Sequence, residues 1–186
     1  MGRRILFLGP PGVGKGTQAA LLARALGVPH VSTGVMLREA VTAGTDLGKQ
    51  AEAIMAAGDL VPDELVVAIV DERLGNDDAA CGYLLDGFPR NVVQAEALER
   101  SVPSSIEVVI LLEAPEEELV GRLLKRAADE GRADDNEETI RRRLAVYLQE
   151  TEPLIAYYGD LVVGVDGVGS IEGVFSSVVL ALADRS

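Results

Sequence analysis

A glycine-rich loop between an apolar run and a helical run is the feature that most constrains this chain. RILFLG (4–9) is typical of a fully buried strand, and KGTQAALLARAL (15–26) is typical of a helix that Gly27 closes. Between them, GPPGVGK fits the pattern G-x-x-x-x-G-K of a phosphate-binding loop. Its glycines let backbone N–H groups face an anion, which the helix dipole also favours. The sequence therefore predicts a strand, a phosphate-binding loop and a helix in succession.

The loop departs from the usual pattern at one position. Gly16 stands where a Ser or Thr that binds magnesium is expected, and Thr17 follows one residue later. Lys15 is intact and would bridge the outer phosphates of a bound nucleotide. From the loop alone, two interpretations remain open: it has lost its metal ligand, or it handles its metal differently.

Short β-rich runs alternate with helical stretches along the rest of the chain. Further strands are expected within 28–34, 82–87, 106–114 and 161–167. Helices are expected at 34–43, 46–57, 62–74, 91–100, 115–129, 136–158 and 170–183, with Pro153 interrupting the 136–158 helix. This alternation predicts an α/β fold of three layers, in which helices cover both faces of a central parallel sheet of five strands. In such a fold, ligands bind at the carboxyl ends of the strands.

Composition narrows the class of protein. A chain of 186 residues fits one domain, here residues 1–186, and its net charge of −13 argues against a nucleic-acid or membrane-surface binder. The single cysteine, Cys81, excludes an internal disulfide and a multi-cysteine zinc site. No apolar run approaches the roughly 20 residues of a membrane span, and MGRRILFL is too short for a signal-peptide core. We therefore expect a cytoplasmic protein, and a monomer.

Several charged residues are candidates for an anion or metal site. Asp86 ends the strand GYLLD at the ligand edge, where its carboxylate could hold magnesium or its waters, or could merely begin a turn. Arg90 follows Asp86 in DGFPR, and Arg38 ends the helical turn that follows STG. A lone arginine near a helix end is, however, more often a solvated charge. Only together with Lys15 do they suggest clamps for phosphate.

Helical spacing separates the arginines near the end of the chain. Three arginines have a glutamate four residues earlier, the favoured order for ion pairs on a helix: Glu118 before Arg122, Glu137 before Arg141 and Glu138 before Arg142. Arg126 can pair with Glu130, four residues later. Arg143 has Thr139 at the earlier position, so among the three arginines of this segment the spacing favours Arg143 as the one that faces a ligand, with a solvated charge as the alternative.

Four segments, in this order, resemble the motifs of the adenylate kinase family: GPPGVGKGTQ, STGVMLR (32–38), DGFPRNVVQAEAL (86–98) and GRADDNEETIRRRL (131–144). The resemblance covers essentially the whole chain. Members commonly carry G-K-G-T in the loop and reach magnesium largely through water, so Gly16 is no defect. The resemblance also implies two inserts, 32–61 over AMP and a lid at 126–136 over ATP. The lid is the short form, without room for a zinc-bearing insertion, so we expect Mg²⁺ with ATP and no zinc.

The resemblance further implies which residues form the site. ATP would be held by Gly12, Val13, Gly14, Lys15, Gly16, Thr17, Arg126 and the backbone of Gly169. AMP would be held by Thr33, Arg38, Asp59, Leu60, Val61, Gly87, Phe88, Pro89, Arg90, Gln94, Arg132 and Arg143. The catalytic set would be Lys15, Arg38, Asp86, Arg90, Arg126, Arg132 and Arg143, with Asp86 reaching the metal mostly through water.

The implied reaction is reversible phosphoryl transfer from Mg·ATP to AMP, which gives two ADP. A phosphate acceptor has a second pKa of about 6 and needs no base at neutral pH, so we interpret His30, the only histidine, as structural. One alternative is a UMP/CMP kinase, which Thr33 disfavours because those relatives usually have Ala there. Another is a nucleotide-binding regulatory protein with impaired turnover, because Val35 stands where the family commonly has an acid.

Overall fold

The computed structural model describes residues 3–102, 106–130 and 136–185, although the side chain of Glu130 lies outside this description. The five strands within these ranges are β1 (Arg4–Leu8), β2 (His30–Ser32), β3 (Tyr83–Asp86), β4 (Val108–Glu113) and β5 (Val162–Asp166). They form one parallel sheet in the order β2-β3-β1-β4-β5. The predicted sheet of five parallel strands is therefore confirmed.

Nine α-helices occur in the described ranges: α1 (Lys15–Leu26), α2 (Thr33–Thr42), α3 (Asp46–Ala57), α4 (Asp63–Leu74), α5 (Val92–Ser101), α6 (Glu116–Glu130), α7 (Glu137–Val146), α8 (Pro153–Tyr158) and α9 (Ile171–Ala183). The predicted helices are confirmed to within a residue or two at most ends. Four of them begin at a side chain that accepts a hydrogen bond from a backbone N–H of the first turn: Thr45, Asn91, Asn136 and Ser170.

The predicted break in the 136–158 helix is also confirmed. A π-helical turn, Tyr147–Thr151, separates α7 from α8, and Pro153 is the first residue of α8. Proline is tolerated at that position because its missing N–H would have had no partner in the helix. The change of helical register therefore lies just before the proline.

The core occupies both faces of the sheet. Ile5 and Phe7 of β1 pack on one face with residues of α1, α6 and α9. Leu6 and Leu8 pack on the other face with residues of α4, α5 and α8. A strand buried on both faces reads as the continuous apolar run that the sequence shows. Among the described helices, none is long and apolar enough to cross a membrane.

Candidate active site

A cleft of about 810 Å³ opens at the carboxyl edge of the sheet. The loop between β1 and α1 forms one wall, and Asp86 at the end of β3 lies across from it. Five arginines also line this cleft: Arg38, Arg90, Arg122, Arg126 and Arg143. The cleft therefore gathers the local positive charge that an acidic protein needs in order to bind an anion.

The loop has a backbone that requires glycine. Gly12 and Gly14 have φ angles of 86° and 100°, in the left-handed region that side chains other than glycine rarely adopt. A Cβ on Gly12 would also lie 2.9 Å from the carbonyl oxygen of Leu119 in α6. This loop is therefore fixed both by its own conformation and by its contact with α6.

Lys15 is folded over its own loop. Its Nζ donates hydrogen bonds to the carbonyl oxygens of Gly9 and Pro10, at 2.7 and 2.9 Å. Loss of hydration lowers the pKa of Lys15 to about 8, an effect that the nearby arginines reinforce and Asp86 opposes. Lys15 is therefore still mainly cationic at neutral pH, and it lies where an incoming phosphate would offer it a stronger partner than two carbonyls.

Asp86 is buried and held by polar neighbours on β2. Ser32 Oγ donates to its Oδ2 at 3.2 Å, and His30 Nε2 lies 3.5 Å from the same oxygen. Burial raises the pKa of Asp86, but contact with His30 and the charge of Lys15 together lower it by more than burial raises it. The pKa of Asp86 is therefore below its usual value. A Cβ on Gly16 would lie 3.5 Å from Asp86 Oδ2, so this ionised carboxylate faces the position where other loops carry a magnesium-binding hydroxyl.

The turn after β3 is tied together by its own polar groups. Thr33 Oγ1 and Arg90 Nε both donate to the carbonyl oxygen of Gly87, at 2.8 and 2.9 Å. The backbone N–H of Arg90 donates to Gln94 Oε1, and Gln94 Nε2 donates to Asp63 Oδ1, each at 2.7 Å. The peptide bond between Phe88 and Pro89, within this turn, is cis. Arg90 is thus oriented by α2 and by α5.

The structure brings the predicted residues together in two groups. Those in the main cleft are Gly12, Val13, Gly14, Lys15, Gly16, Thr17, Arg38, Asp86, Gly87, Arg90, Arg126, Arg143 and Gly169. A smaller cavity of about 70 Å³ is lined by Thr33, Arg38, Asp59, Leu60, Val61, Gly87, Arg90, Gln94 and Arg143. Pro89 lines a third cavity, of about 80 Å³, beside Lys15. The side chain of Phe88 is buried in the core, and Arg132 lies outside the described residues.

Comparison with known proteins shows the family of this chain. The family model described as adenylate kinase matches residues 7–162. The chain is 50% identical to an adenylate kinase of Thermobifida fusca over 98% of its own length and 100% of that protein. It is 53% identical to one from Synechococcus sp. over the same shares, and 48% identical to one from Thermus thermophilus over 98% of both chains. The chain belongs to the adenylate kinase family.

One predicted ion pair on α7 is wrong. Arg141 pairs with Glu137 at 3.0 Å, as the helical spacing predicts, but Arg142 donates to Asp59 instead of Glu138. The reason is tertiary, because the turn that follows α3 lies against α7 and offers a carboxylate that both nitrogens of the fork can reach. The predicted pair of Arg122 with Glu118 is confirmed at 2.8 Å, and that of Arg126 with Glu130 involves a side chain outside the described ones.

Two residues that sequence reasoning missed line the cavities of this adenylate kinase family member. Arg122, assigned only to an ion pair, lines the main cleft and donates through Nη1 to the carbonyl oxygen of Gly167 at 3.0 Å. Its spacing of four residues from Arg126 was the available signal. Thr151, in the π-helical turn, donates to the carbonyl oxygen of Arg90 at 2.7 Å. No sequence pattern links Thr151 with Arg90, which lie 61 positions apart.

Proposed function

We propose that this protein transfers the terminal phosphoryl group of Mg·ATP reversibly to AMP, giving two ADP. The observation that carries the proposal is the position of Lys15. It lines both the main cleft and a neighbouring cavity, and Gly87, Arg90 and Arg143 line both of these as well as the smaller cavity. Two nucleotides that approach from the two sides would therefore meet at Arg90 and Arg143, next to Lys15.

On the donor side, the loop backbone would bind the phosphates of ATP. Residues 12–17 would supply N–H groups, while Arg126 and the backbone of Gly169 would complete the site. Lys15 would leave its two carbonyl partners and follow the charge of the outer phosphates. The positive φ angles of the loop glycines support this assignment because they turn successive amides toward the cleft.

On the acceptor side, longer side chains would bind AMP. Arg38, Arg90 and Arg143 would hold its phosphate, and Arg132 would join them from the lid. The remaining residues assigned to the AMP site are Thr33, Asp59, Leu60, Val61, Gly87, Phe88, Pro89 and Gln94. Phe88 would contribute only through its backbone because its side chain is buried.

Asp86 fits a magnesium ion that is held mostly through water. Its carboxylate is ionised, and it faces the loop that would bind the phosphates. The ion, when bound, supplies charge neutralisation to the phosphates. Lys15 and the arginines do the same from the protein, and they hold donor and acceptor in line. No residue needs to remove a proton, because the acceptor phosphate is already ionised.

The segments 32–61 and 126–136 would act as inserts that close over AMP and ATP, and residues 131–135 of the second insert lie outside the described residues. Closing both excludes water, which otherwise competes for the phosphoryl group. We further propose a cytoplasmic monomer that binds ATP, AMP and ADP, uses magnesium and no zinc, and has no nucleic-acid or membrane partner. The net charge of −13 supports the last point.

The test is an assay that couples ADP formation to a detectable signal, with Mg·ATP as donor and AMP, CMP, UMP or GMP as acceptor. We expect AMP to be strongly preferred. Preference for UMP or CMP would favour the pyrimidine kinase, against which Thr33 argues. Nucleotide binding without turnover on any acceptor would favour the regulatory protein that Val35 leaves open.

A further inference from the structure

An ion pair that the proposed chemistry does not use joins the AMP insert to α7. Arg142 Nε and Nη2 donate to Asp59 Oδ1 and Oδ2 at 2.5 and 2.6 Å. Two parallel hydrogen bonds between a guanidinium and a carboxylate fix orientation as well as distance. The two residues are 83 positions apart, so the pair connects separate elements. The neighbouring pair of Arg141 with Glu137 only spans one turn of a helix.

A close backbone contact lies beside this pair. Gly58 ends α3 in the left-handed region, with φ of 82°. A Cβ there would lie 2.9 Å from Thr139 Cγ2 and 3.0 Å from Arg143 Cγ, both on α7. The turn that contains Gly58 and Asp59 is therefore pressed against α7, and the ion pair holds the outer side of the same contact.

This contact also forms one wall of the smaller cavity. Gly58, Asp59, Leu60 and Val61 line that cavity together with Arg143, the arginine next to Arg142. The position of this turn on α7 therefore sets the distance between Arg143 and the apolar side chains of Leu60 and Val61. The loop and α6, which line the main cleft, take no part in the ion pair.

We propose that Asp59 and Arg142 form a positioning pair for the acceptor nucleotide, an inference that rests on the proposed function. Neither side chain touches the reacting atoms. The pair keeps the 58–61 turn docked on α7, so that Leu60, Val61 and Arg143 keep the spacing that AMP requires. Its loss weakens AMP binding and leaves ATP binding unchanged.

The test is a double-mutant cycle with Asp59→Asn, Arg142→Gln and both together, in which KM for AMP, KM for ATP and kcat are measured. Each single change is expected to raise KM for AMP by about threefold to fivefold. In the double variant, KM for AMP should be no higher than in the more affected of the two single variants. The reason is that either change alone already breaks the pair. Arg142→Lys keeps the charge without the fork, so it should fall between the parent and Arg142→Gln.

The matched control is the pair on the same helix, changed as Glu137→Gln and Arg141→Gln, for which all three constants should stay the same. Both residues of the proposed pair are partly exposed, so melting temperatures should change little, and AMP binding by calorimetry should follow KM. An unchanged KM for AMP, additive effects, or an equal rise in KM for ATP would each overturn the positioning role. Failure of the parent protein to phosphorylate AMP would instead overturn the proposed function.

Discussion

The phosphate loop and the acceptor side of the cleft differ in how far apart their parts lie along the chain. The loop is one segment, 9–17, whose groups toward the ligand are backbone amides and one lysine. The acceptor side draws on α2, the turn after α3, the turn after β3, and α7. The loop is therefore specified by a local pattern of glycines. The acceptor side depends on contacts such as those of Asp59 with Arg142 and Thr151 with Arg90.

The largest effect expected is that of Lys15→Ala. The loop has no other side-chain cation, so its removal should lower kcat by about 10²–10³-fold while the fold survives. Turnover measures the loss of kcat and melting temperature measures the survival of the fold. The control is Lys49→Ala, at an exposed lysine. Near-normal turnover of the Lys15 variant would mean that this loop does not act on the transferred phosphate.

On the acceptor side, Arg143→Ala should lower kcat by about 10²-fold, because Arg143 lines the main cleft and both smaller cavities. Arg141→Ala and Arg142→Ala should leave kcat within about twofold, since exposed ion pairs contribute little. Only Arg142→Ala should also raise KM for AMP. Equal kcat and equal melting temperature in all three variants would remove the ligand role of Arg143.

Local patterns predicted most of the fold. The five strands and the helices follow from apolar periodicity and turn residues, and Pro153 marked the break after α7. The partner of Arg142 could not be predicted, because helical spacing offered Glu138 and only tertiary packing brings Asp59 near. The hydrogen bond from Thr151 to Arg90 could not be predicted either. It depends on the π-helical turn, for which the sequence shows no signal.

Val35 allows a smaller test of the boundary between the two sides. It is 42% exposed and lines the main cleft, so an acid there would face the region of Asp86. Val35→Asp is expected to lower the magnesium concentration needed for half-maximal rate by about tenfold, and to raise kcat. Magnesium is titrated at saturating ATP and AMP, with the uncharged Val35→Asn as control. An unchanged magnesium curve in the Asp variant would show that water alone completes the metal shell.

The smallest effect expected is a proton taken up with ATP. Free Lys15 has its pKa lowered to about 8, and phosphate would raise that pKa again. Below pH 8 the lysine is already protonated in the free protein, so ATP binding takes up only a small fraction of a proton. Above pH 8 binding must restore the proton, so affinity should fall by up to about tenfold per pH unit until the pKa of the bound state is reached.

Calorimetry at pH 7 and pH 9, in two buffers of different ionisation enthalpy, measures this uptake. Lys15→Arg, which does not titrate in this range, should abolish the difference between buffers. The same heat in both buffers at pH 9 would show that the lysine keeps its proton in the free protein.

The place of β1 in the sheet has a consequence for synthesis on the ribosome. β1 pairs with β3 and β4, which begin at Tyr83 and Val108, so the first strand to emerge waits for both neighbours. Contacts between distant parts of a chain form slowly because a long loop must close first. The nascent chain therefore carries its apolar first strand without its full set of neighbours until Glu113, the last residue of β4, has been added, when more than half of the 186 residues have been made. Nucleotide can stabilise the protein only after that point, and chaperone binding to the first 30 residues would have its greatest benefit before it.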